Sequence, residues 1–275
     1  MKRVDKLLIS FVLMLFVFAC TKSIGDEDVS YSINNKHIKS ISANGTISHK
    51  FFYDQKGKIV EENCLYYFHK YVYDENERLV KVESAWDSGL LSSSMPVVRT
   101  EFMTSKNSAA DRYSLYQYEN NGRLSTIENY FNYTGSGFEH RSTQTFEYKG
   151  SLIVKVTVTL HMPPVQITGF TVYTYDNKGN VIKEKMYSSP GTSNETVTEK
   201  SYKYDNYKNP YRIFSMVGTP GLWTNVNNII ETSESWNYNI PGLDSNSTEK
   251  RSFKYNSNGY PVKEITQSGE FEYNY

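Results

Sequence analysis

One short unit recurs along the chain and restricts the folds that the chain can adopt. The unit begins with an aromatic residue, one residue of any type and Tyr. An acidic residue or Asn most often follows, and a few spacer residues, often including Gly, then lead to an aliphatic residue. Eight copies in 275 residues indicate a repeat architecture rather than coincidence. The second aromatic residues of the copies are Tyr53, Tyr73, Tyr118, Tyr148, Tyr175, Tyr204, Tyr255 and Tyr273.

Each unit predicts a β-hairpin. The aromatic-x-Tyr pair places two rings on one face of a strand, because side chains alternate with period two. The Asp or Asn that follows bonds its own backbone and starts a turn. In four copies Gly stands four residues after the tyrosine, where a hairpin loop needs a positive φ. These glycines are Gly57, Gly122, Gly179 and Gly259. The sequence therefore predicts an all-β fold, an antiparallel meander of repeated hairpins forming an extended, twisted sheet that can curl on itself.

Two long intervals between repeats interrupt this pattern. We place insertions at residues 84–112 and 215–250. The second insertion contains an amphipathic stretch through Ile229 and Ile230, which we interpret as one short helix. No Pro/Ser-rich linker divides the chain, so residues 32–275 are predicted to form a single domain.

The N-terminus predicts export and lipid attachment. Residues 1–19 join a basic start to an apolar run that is too short for a hydrocarbon core of about 30 Å but typical of a signal peptide. Residues 17–20, Val-Phe-Ala-Cys, resemble a bacterial lipoprotein box, which implies cleavage before Cys20 and a lipid on its sulfur. Residues 20–31 then form a flexible tether with the lipidated cysteine at its start. The alternative is an ordinary secretory signal that happens to end near a cysteine.

The Tyr-Asp-x-x-Gly-x-aliphatic unit resembles the YD repeat of Rhs-type proteins, and this resemblance covers most of residues 50–275. Together with the lipoprotein signal, it makes the chain similar to the YD-repeat-containing lipoproteins of gut Bacteroidota. Residues 204–210 and 253–261 are similar to the C-terminal signature of those proteins. The resemblance implies an outer-membrane lipoprotein of the cell envelope, on the periplasmic or the surface face. It implies no established activity.

The sequence holds none of the common catalytic motifs, such as His-Glu-x-x-His, Gly-x-Ser-x-Gly or a Walker A loop. Its five histidines are scattered, and none has a second ligand at metal spacing along the chain. Cys64 lies in an apolar run that is typical of a buried thiol. We therefore predict no catalytic residue, no metal and no cofactor. With 30 Lys+Arg against 30 Asp+Glu, the neutral balance gives no electrostatic indication of binding to nucleic acid, and no nucleic-acid partner is expected.

The expected function is a non-catalytic binding or scaffold module of the cell envelope. Aromatic residues are 15% of the chain, and those of the repeats are assigned to structure, because their large rings cover the hairpins. Trp86, Trp223 and Trp236 instead fall in or beside the insertions, where recognition residues usually lie, and are the candidate ligand-binding residues. The expected partners are a membrane, through the lipid, and a glycan or an envelope protein. A purely structural envelope protein and a carbohydrate-active enzyme are the alternatives.

Overall fold

The structure, a computed structural model, describes residues 37–87, 100–133, 135–237 and 244–275. The predicted signal peptide, Cys20 and the tether at 20–31 lie outside the described residues. A 3-10 helix covers Pro210–Val217. The strands are β1 (Ser40–Ala43), β2 (Thr46–Tyr53), β3 (Ile59–Cys64), β4 (Tyr67–Tyr73), β5 (Leu79–Trp86), β6 (Arg112–Tyr118), β7 (Leu124–Phe131), β8 (Glu139–Lys149), β9 (Leu152–Met162), β10 (Val165–Tyr175), β11 (Val181–Ser188), β12 (Thr196–Tyr204), β13 (Ile229–Asn237), β14 (Ser245–Lys250), β15 (Ser252–Tyr255), β16 (Pro261–Thr266) and β17 (Gly269–Asn274).

The strands form one antiparallel meander, which confirms the predicted all-β class. The shape differs from the predicted extended sheet, because β1 pairs with β17 as well as with β2, and Ile41 lies opposite Tyr273. Only Arg251 separates β14, which pairs with β13, from β15, which pairs with β16. The sheet is therefore nearly closed and barrel-like. Closure satisfies backbone groups that an open sheet would leave unpaired at its edges.

Five of the repeat turns, those after Tyr53, Tyr73, Tyr118, Tyr175 and Tyr255, share one geometry and lie at one end of the sheet, which we call the turn end. In the first turn, the Asp54 carboxylate accepts from the backbone N–H groups of Lys56 and Lys58, each at 2.9 Å. Gly57 donates its N–H to the Asp54 carbonyl at 3.0 Å and has a φ of 80°. This is a type I turn that ends in a left-handed residue, with a bulge at Tyr53 in the flanking pair. The glycines at the same place in the later repeats, Gly122, Gly179 and Gly259, have φ of 83°, 89° and 78°.

The second tyrosine of each repeat ties its hairpin to an earlier part of the sheet. In most repeats its hydroxyl donates to the backbone carbonyl of a residue within two positions of the start of a preceding strand, and we call this series the tyrosine ladder. Its bonds run from Tyr53 to Ile38, Tyr73 to Ile59, Tyr118 to Leu79, Tyr148 to Leu124, Tyr175 to Ile153, Tyr204 to Val181 and Tyr275 to Pro261. Tyr255 donates to the Asp205 carboxylate instead. In the last repeat, the tyrosine that takes part in the ladder is therefore Tyr275. Tyr273, the tyrosine of the sequence repeat, lies two residues earlier in the chain.

The segment between β12 and β13, residues 205–228, supplies the helix. Asn209 caps the helix by accepting from Tyr211 N–H at 3.0 Å, and Gly218 ends it with a φ of 85°. The predicted helix through Ile229 and Ile230 is wrong, because Ile229 begins β13. Thr232, Glu234 and Trp236 recur with the period of two of a strand, and all three lie opposite residues of β12.

Buried asparagines hold this segment against the sheet. Asn180, fully buried at the start of β11, accepts from two backbone N–H groups of residues 226–227 at 2.8 and 3.0 Å. Asn225 accepts from Val181 N–H at 2.8 Å. The segment pairs with no strand, so its backbone lacks the partners that a ladder would give. These side-chain amides supply hydrogen bonds in their place.

The helix fills the interior of the sheet at the turn end. The Phe214 ring is buried, with its centroid 5.5 Å from that of Phe51 and 6.5 Å from that of Tyr71. At Gly218 a Cβ atom would lie 2.4 Å from Leu124 Cδ2, so the segment also packs closely against β7. The core of the protein therefore lies at the turn end.

The interior opens towards the other end of the strands, which we call the open end. Along the inner face of β9, exposure rises from 4% at Val156 to 39% at Leu160. Along β10 it rises from 7% at Tyr173 to 55% at Val165. The sheet is thus a cup that residues 205–228 close at one end.

The described part of the first insertion packs on the outside of this cup. Met103 is buried with Phe68 and Ala85, both on the outer face of the sheet. Ser105 donates its N–H and its hydroxyl to the Glu61 carboxylate, at 2.8 and 3.0 Å. This insertion therefore covers outer surface, whereas residues 205–228 fill the inside.

Candidate functional site

A row of aromatic and guanidinium groups crosses the inner face of the sheet near the open end. We call it the inner belt, and its members are Tyr67, Trp86, Arg112 and Phe131. The Tyr67 and Trp86 rings are stacked, with centroids 5.1 Å apart and an angle of 17°. The Arg112 guanidinium lies 5.5 Å from the Trp86 centroid and 5.2 Å from that of Phe131. Each contact joins neighbouring strands, so the belt is a product of the sheet register.

Arg112 also holds a carboxylate at the belt. Its Nε donates to Asp111 Oδ1 at 2.8 Å, and a terminal nitrogen donates to Oδ2 at 3.2 Å. This paired geometry keeps the guanidinium plane oriented over the Trp86 ring. The belt therefore presents an indole, a guanidinium and a carboxylate side by side.

A hydrogen-bonded network lies deeper, below the belt. Tyr67 and Tyr71 donate their hydroxyls to the two carboxylate oxygens of Glu62, at 3.0 and 3.3 Å. His49 Nε2 lies 2.9 Å from the Tyr67 hydroxyl. His69 Nδ1 lies 2.7 Å from Ser84 Oγ on the next strand.

Burial changes the charge that this network carries. It raises the pKa of Glu62 to about 7, although the bonds from Tyr67 and Tyr71 favour the ionised form. Burial lowers the pKa of His49 to about 4, and burial with the nearby Arg112 charge lowers that of His69 to about 4. Burial and the Glu62 charge raise the pKa of Tyr67 well above its usual value. At neutral pH both imidazoles are therefore neutral, and Glu62 keeps its proton more readily than an exposed carboxyl group, so the network is a wall of donors and acceptors with reduced charge.

The structure does not bring the three predicted tryptophans together. Trp86 belongs to the inner belt and is 46% exposed. Trp223 packs against the buried core, with its ring 5.2 Å from Phe214 at an angle of 66°. Trp236 lies on β13 opposite Thr198 and is partly buried. Of the three, Trp86 is the most exposed, whereas Trp236 shares its position on the inner face near the open end.

Sequence reasoning missed most of the residues around Trp86. The period of two in Tyr67, His69 and Tyr71 does place them on one face, where the structure has them. Nothing local, however, indicates that Glu62 lies beneath Tyr67, or that Arg112 lies over Trp86 after a 25-residue connection between β5 and β6. Cys64 is buried, as predicted, and burial raises the pKa of its thiol.

The described ranges contain no helix that is long and apolar enough to cross a membrane.

Among solved structures, the fold is similar to that of a porin-like protein from Bacteroides vulgatus ATCC 8482. The TM-score is 0.51 at 11% identity, over 87% of this chain and 98% of that one. A porin-like protein from Bacteroides uniformis ATCC 8492 matches with a TM-score of 0.37 at 10% identity, over 87% and 97% of the two chains. The complex TcdB2-TccC3-Cdc42 matches 81% of this chain with 11% of its own, at a TM-score of 0.34 and 14% identity. At these identities the first likeness shows the fold alone, and the other two carry no argument.

No protein-family profile matches the sequence. No curated protein matches it either.

Proposed function

We propose that this chain is a lipid-anchored binding module of the cell envelope, of the YD-repeat lipoprotein type, whose ligand enters the open end of the cup. The observation that carries the proposal is the difference between the two ends. Residues 205–228 fill the turn end with a packed core, whereas the open end presents the inner belt with Trp86 exposed. A rigid scaffold that holds polar and aromatic groups in a concave opening is the usual form of a ligand site.

The chemistry of the belt favours a polyhydroxylated ligand, so a glycan is the first class to test. The Arg112–Asp111 pair offers donors and acceptors for hydroxyl groups, and the exposed part of Trp86 offers an apolar surface beside them. The nearly neutral wall of His49, His69 and Glu62 suits a neutral polar ligand better than an ion. An envelope protein that inserts a loop into the cup is the other ligand class.

The outer face of the sheet supports a module that works in water. Pairs of charged side chains cross it between neighbouring strands: Lys155 with Glu147 at 2.7 Å, Lys183 with Glu199 at 2.6 Å and Lys203 with Glu231 at 2.7 Å. Such pairs are typical of solvated surfaces. The membrane attachment in this proposal depends on the predicted lipid at Cys20, and the tether at 20–31 would separate the cup from the bilayer.

A glycan array followed by tryptophan fluorescence tests this proposal. In a Trp223→Phe/Trp236→Phe background, Trp86 is the single tryptophan, and a ligand at the belt should change its emission. Removing a stacked ring costs about 1–3 kcal/mol by analogy with base stacking, so Trp86→Ala should weaken binding about fivefold or more, measured by calorimetry. Tyr187→Ala is the matched control, because this ring stacks on Phe170 on the outer face.

Each outcome separates the candidate functions. Binding that survives Trp86→Ala without change refutes the inner belt as the site. Failure of every glycan and envelope protein to bind supports a purely structural role. Turnover of a glycan in the same samples would show an enzyme.

A further inference from the structure

Two histidines that are far apart in sequence lie side by side on the outer face of the sheet. His140 is on β8 and His161 is on β9, and their ring centroids are 4.3 Å apart. The Nε2 atoms of both rings contact one atom, Thr143 Oγ1, at 3.1 Å for His140 and 2.9 Å for His161. Both side chains are partly exposed. The two nitrogens therefore converge on one point at the outer surface, on the face of the sheet opposite to that of the inner belt.

A bulge in β8 creates this convergence. Asn129 of β7 lies opposite Ser142, but the next residue, Tyr130, lies opposite His140, so Arg141 is the extra residue. In a regular strand His140 would share the inner face with Ser142, and the bulge turns it to the face of Thr143. Most register shifts in the described sheet fall instead at a repeat tyrosine, where they belong to the turn. This bulge has no such role, and re-aiming a side chain is a known use of bulges.

Neighbouring rings fix the orientation of His140. Tyr130 stacks on it, with centroids 5.0 Å apart and an angle of 24°, and Tyr113 stacks on Tyr130 at 4.7 Å and 14°. A ring held in this way loses little rotational freedom when it binds a ligand. Such support is what a metal-binding imidazole needs from the residues around it.

The hydrogen bonding between the histidines and the threonine is constrained in the free protein. The Thr143 hydroxyl has one proton, so it can donate to only one of the two imidazoles. The other imidazole must then donate its own Nε2 proton to the same oxygen, and the two rings cannot both present an Nε2 lone pair to Thr143. A cation between the rings would allow both to do so, with the proton of each ring on Nδ1.

We propose that His140 and His161 bind one divalent transition-metal ion of the kind that imidazole prefers, such as Zn²⁺ or Cu²⁺. Metal–nitrogen bonds are about 2.0–2.1 Å long, so both rings must move roughly 1 Å closer to a shared ion, and the Thr143 hydroxyl, which now lies between the two nitrogens, must turn aside to make room for it. Within the described residues no three His, Cys, Asp or Glu side chains form a metal-ligand set, so water or an external ligand completes the coordination.

Calorimetric titration of the purified full-length chain, free of any affinity tag, with Zn²⁺ tests the proposal. We expect one saturable equivalent, with affinity at least tenfold weaker in His140→Ala and in His161→Ala. His37→Asn is the control of the same residue type, because His37 stacks on Tyr53 at the turn end, and it should leave affinity unchanged. Thr143→Val should keep the affinity within about threefold, since the rings and not the hydroxyl hold the ion.

Electron paramagnetic resonance with Cu²⁺ gives a second readout that does not depend on affinity. The spectrum of the bound ion should show two imidazole nitrogens, and one in each single histidine variant. His140→Gln and His161→Gln replace the alanine variants if circular dichroism shows that those are unfolded. The absence of saturable binding, or binding that neither histidine substitution weakens, overturns the proposal.

Discussion

Removing one hydroxyl from the tyrosine ladder tests the central structural role of the repeat. Tyr118 donates to the Leu79 carbonyl at 2.7 Å, across 39 residues of sequence. Leu79 is fully buried at the start of β5, so water cannot readily replace the lost donor. Tyr118→Phe keeps the ring and its contact with the Arg78 guanidinium, which lies 5.0 Å from the centroid. The substitution therefore removes the hydrogen bond and little else.

The expected cost follows from that burial. A typical hydrogen bond contributes about 0.5–1.5 kcal/mol, and a buried acceptor left without a partner costs about 1–3 kcal/mol. We expect Tyr118→Phe to destabilise the domain by about 1–2 kcal/mol. In a domain of this size, each kcal/mol lowers the Tm by about 2–4 °C.

Thermal unfolding followed by circular dichroism, with urea unfolding for the free energy, measures the effect. Tyr133→Phe is the matched control, because this residue is 67% exposed, and its Tm should change by less than 1 °C, about the uncertainty of such a scan. Tyr73→Phe should behave like Tyr118→Phe, since its acceptor Ile59 is equally buried. If both ladder variants unfold at the same temperature as Tyr133→Phe, the ladder does not stabilise the fold.

Three further predictions concern the turns, the buried carboxyl group and the lipid. Gly179→Val should cost about 1–3 kcal/mol, because a branched residue is forced to a positive φ. Gly218→Ala should cause backbone strain and also a clash with Leu124. If a variant unfolds at the same temperature and the same urea concentration as the wild type, the assignment of that glycine is wrong. Because folding raises the pKa of Glu62 from 4.5 to about 7, its contribution is greatest below pH 4.5 and is lost as the pH rises through 7. The wild type should thus lose up to about 3 kcal/mol relative to Glu62→Gln across that window, and parallel stability curves would refute the raised pKa. Cys20→Ser should leave an unprocessed or soluble precursor, and a variant that still partitions into the detergent phase would refute lipidation.

The local structure of this protein could be predicted from its sequence. The period of two in the aromatic-x-Tyr pair and the Asp and Gly that follow it specify a hairpin, because both act through neighbouring backbone atoms. The 3-10 helix also had a readable signal, Asn209 and Pro210 at its start and Gly218 at its end. The apolar pair Ile229 and Ile230 gave a misleading one, because a short apolar run does not distinguish a helix from a strand.

The contacts between distant residues were decided by the tertiary structure. Closure of the sheet joins β1 to β17, more than 220 residues away, and this pairing depends on the accumulated twist and register of every hairpin between them. The register of neighbouring strands places Glu62 beneath Tyr67, the packing of residues 205–228 buries Trp223, and one bulge brings His140 beside His161. Side-chain alternation and turn chemistry act over a few residues and are written in the sequence, whereas the position of each strand around the cup is set only when the whole sheet has formed.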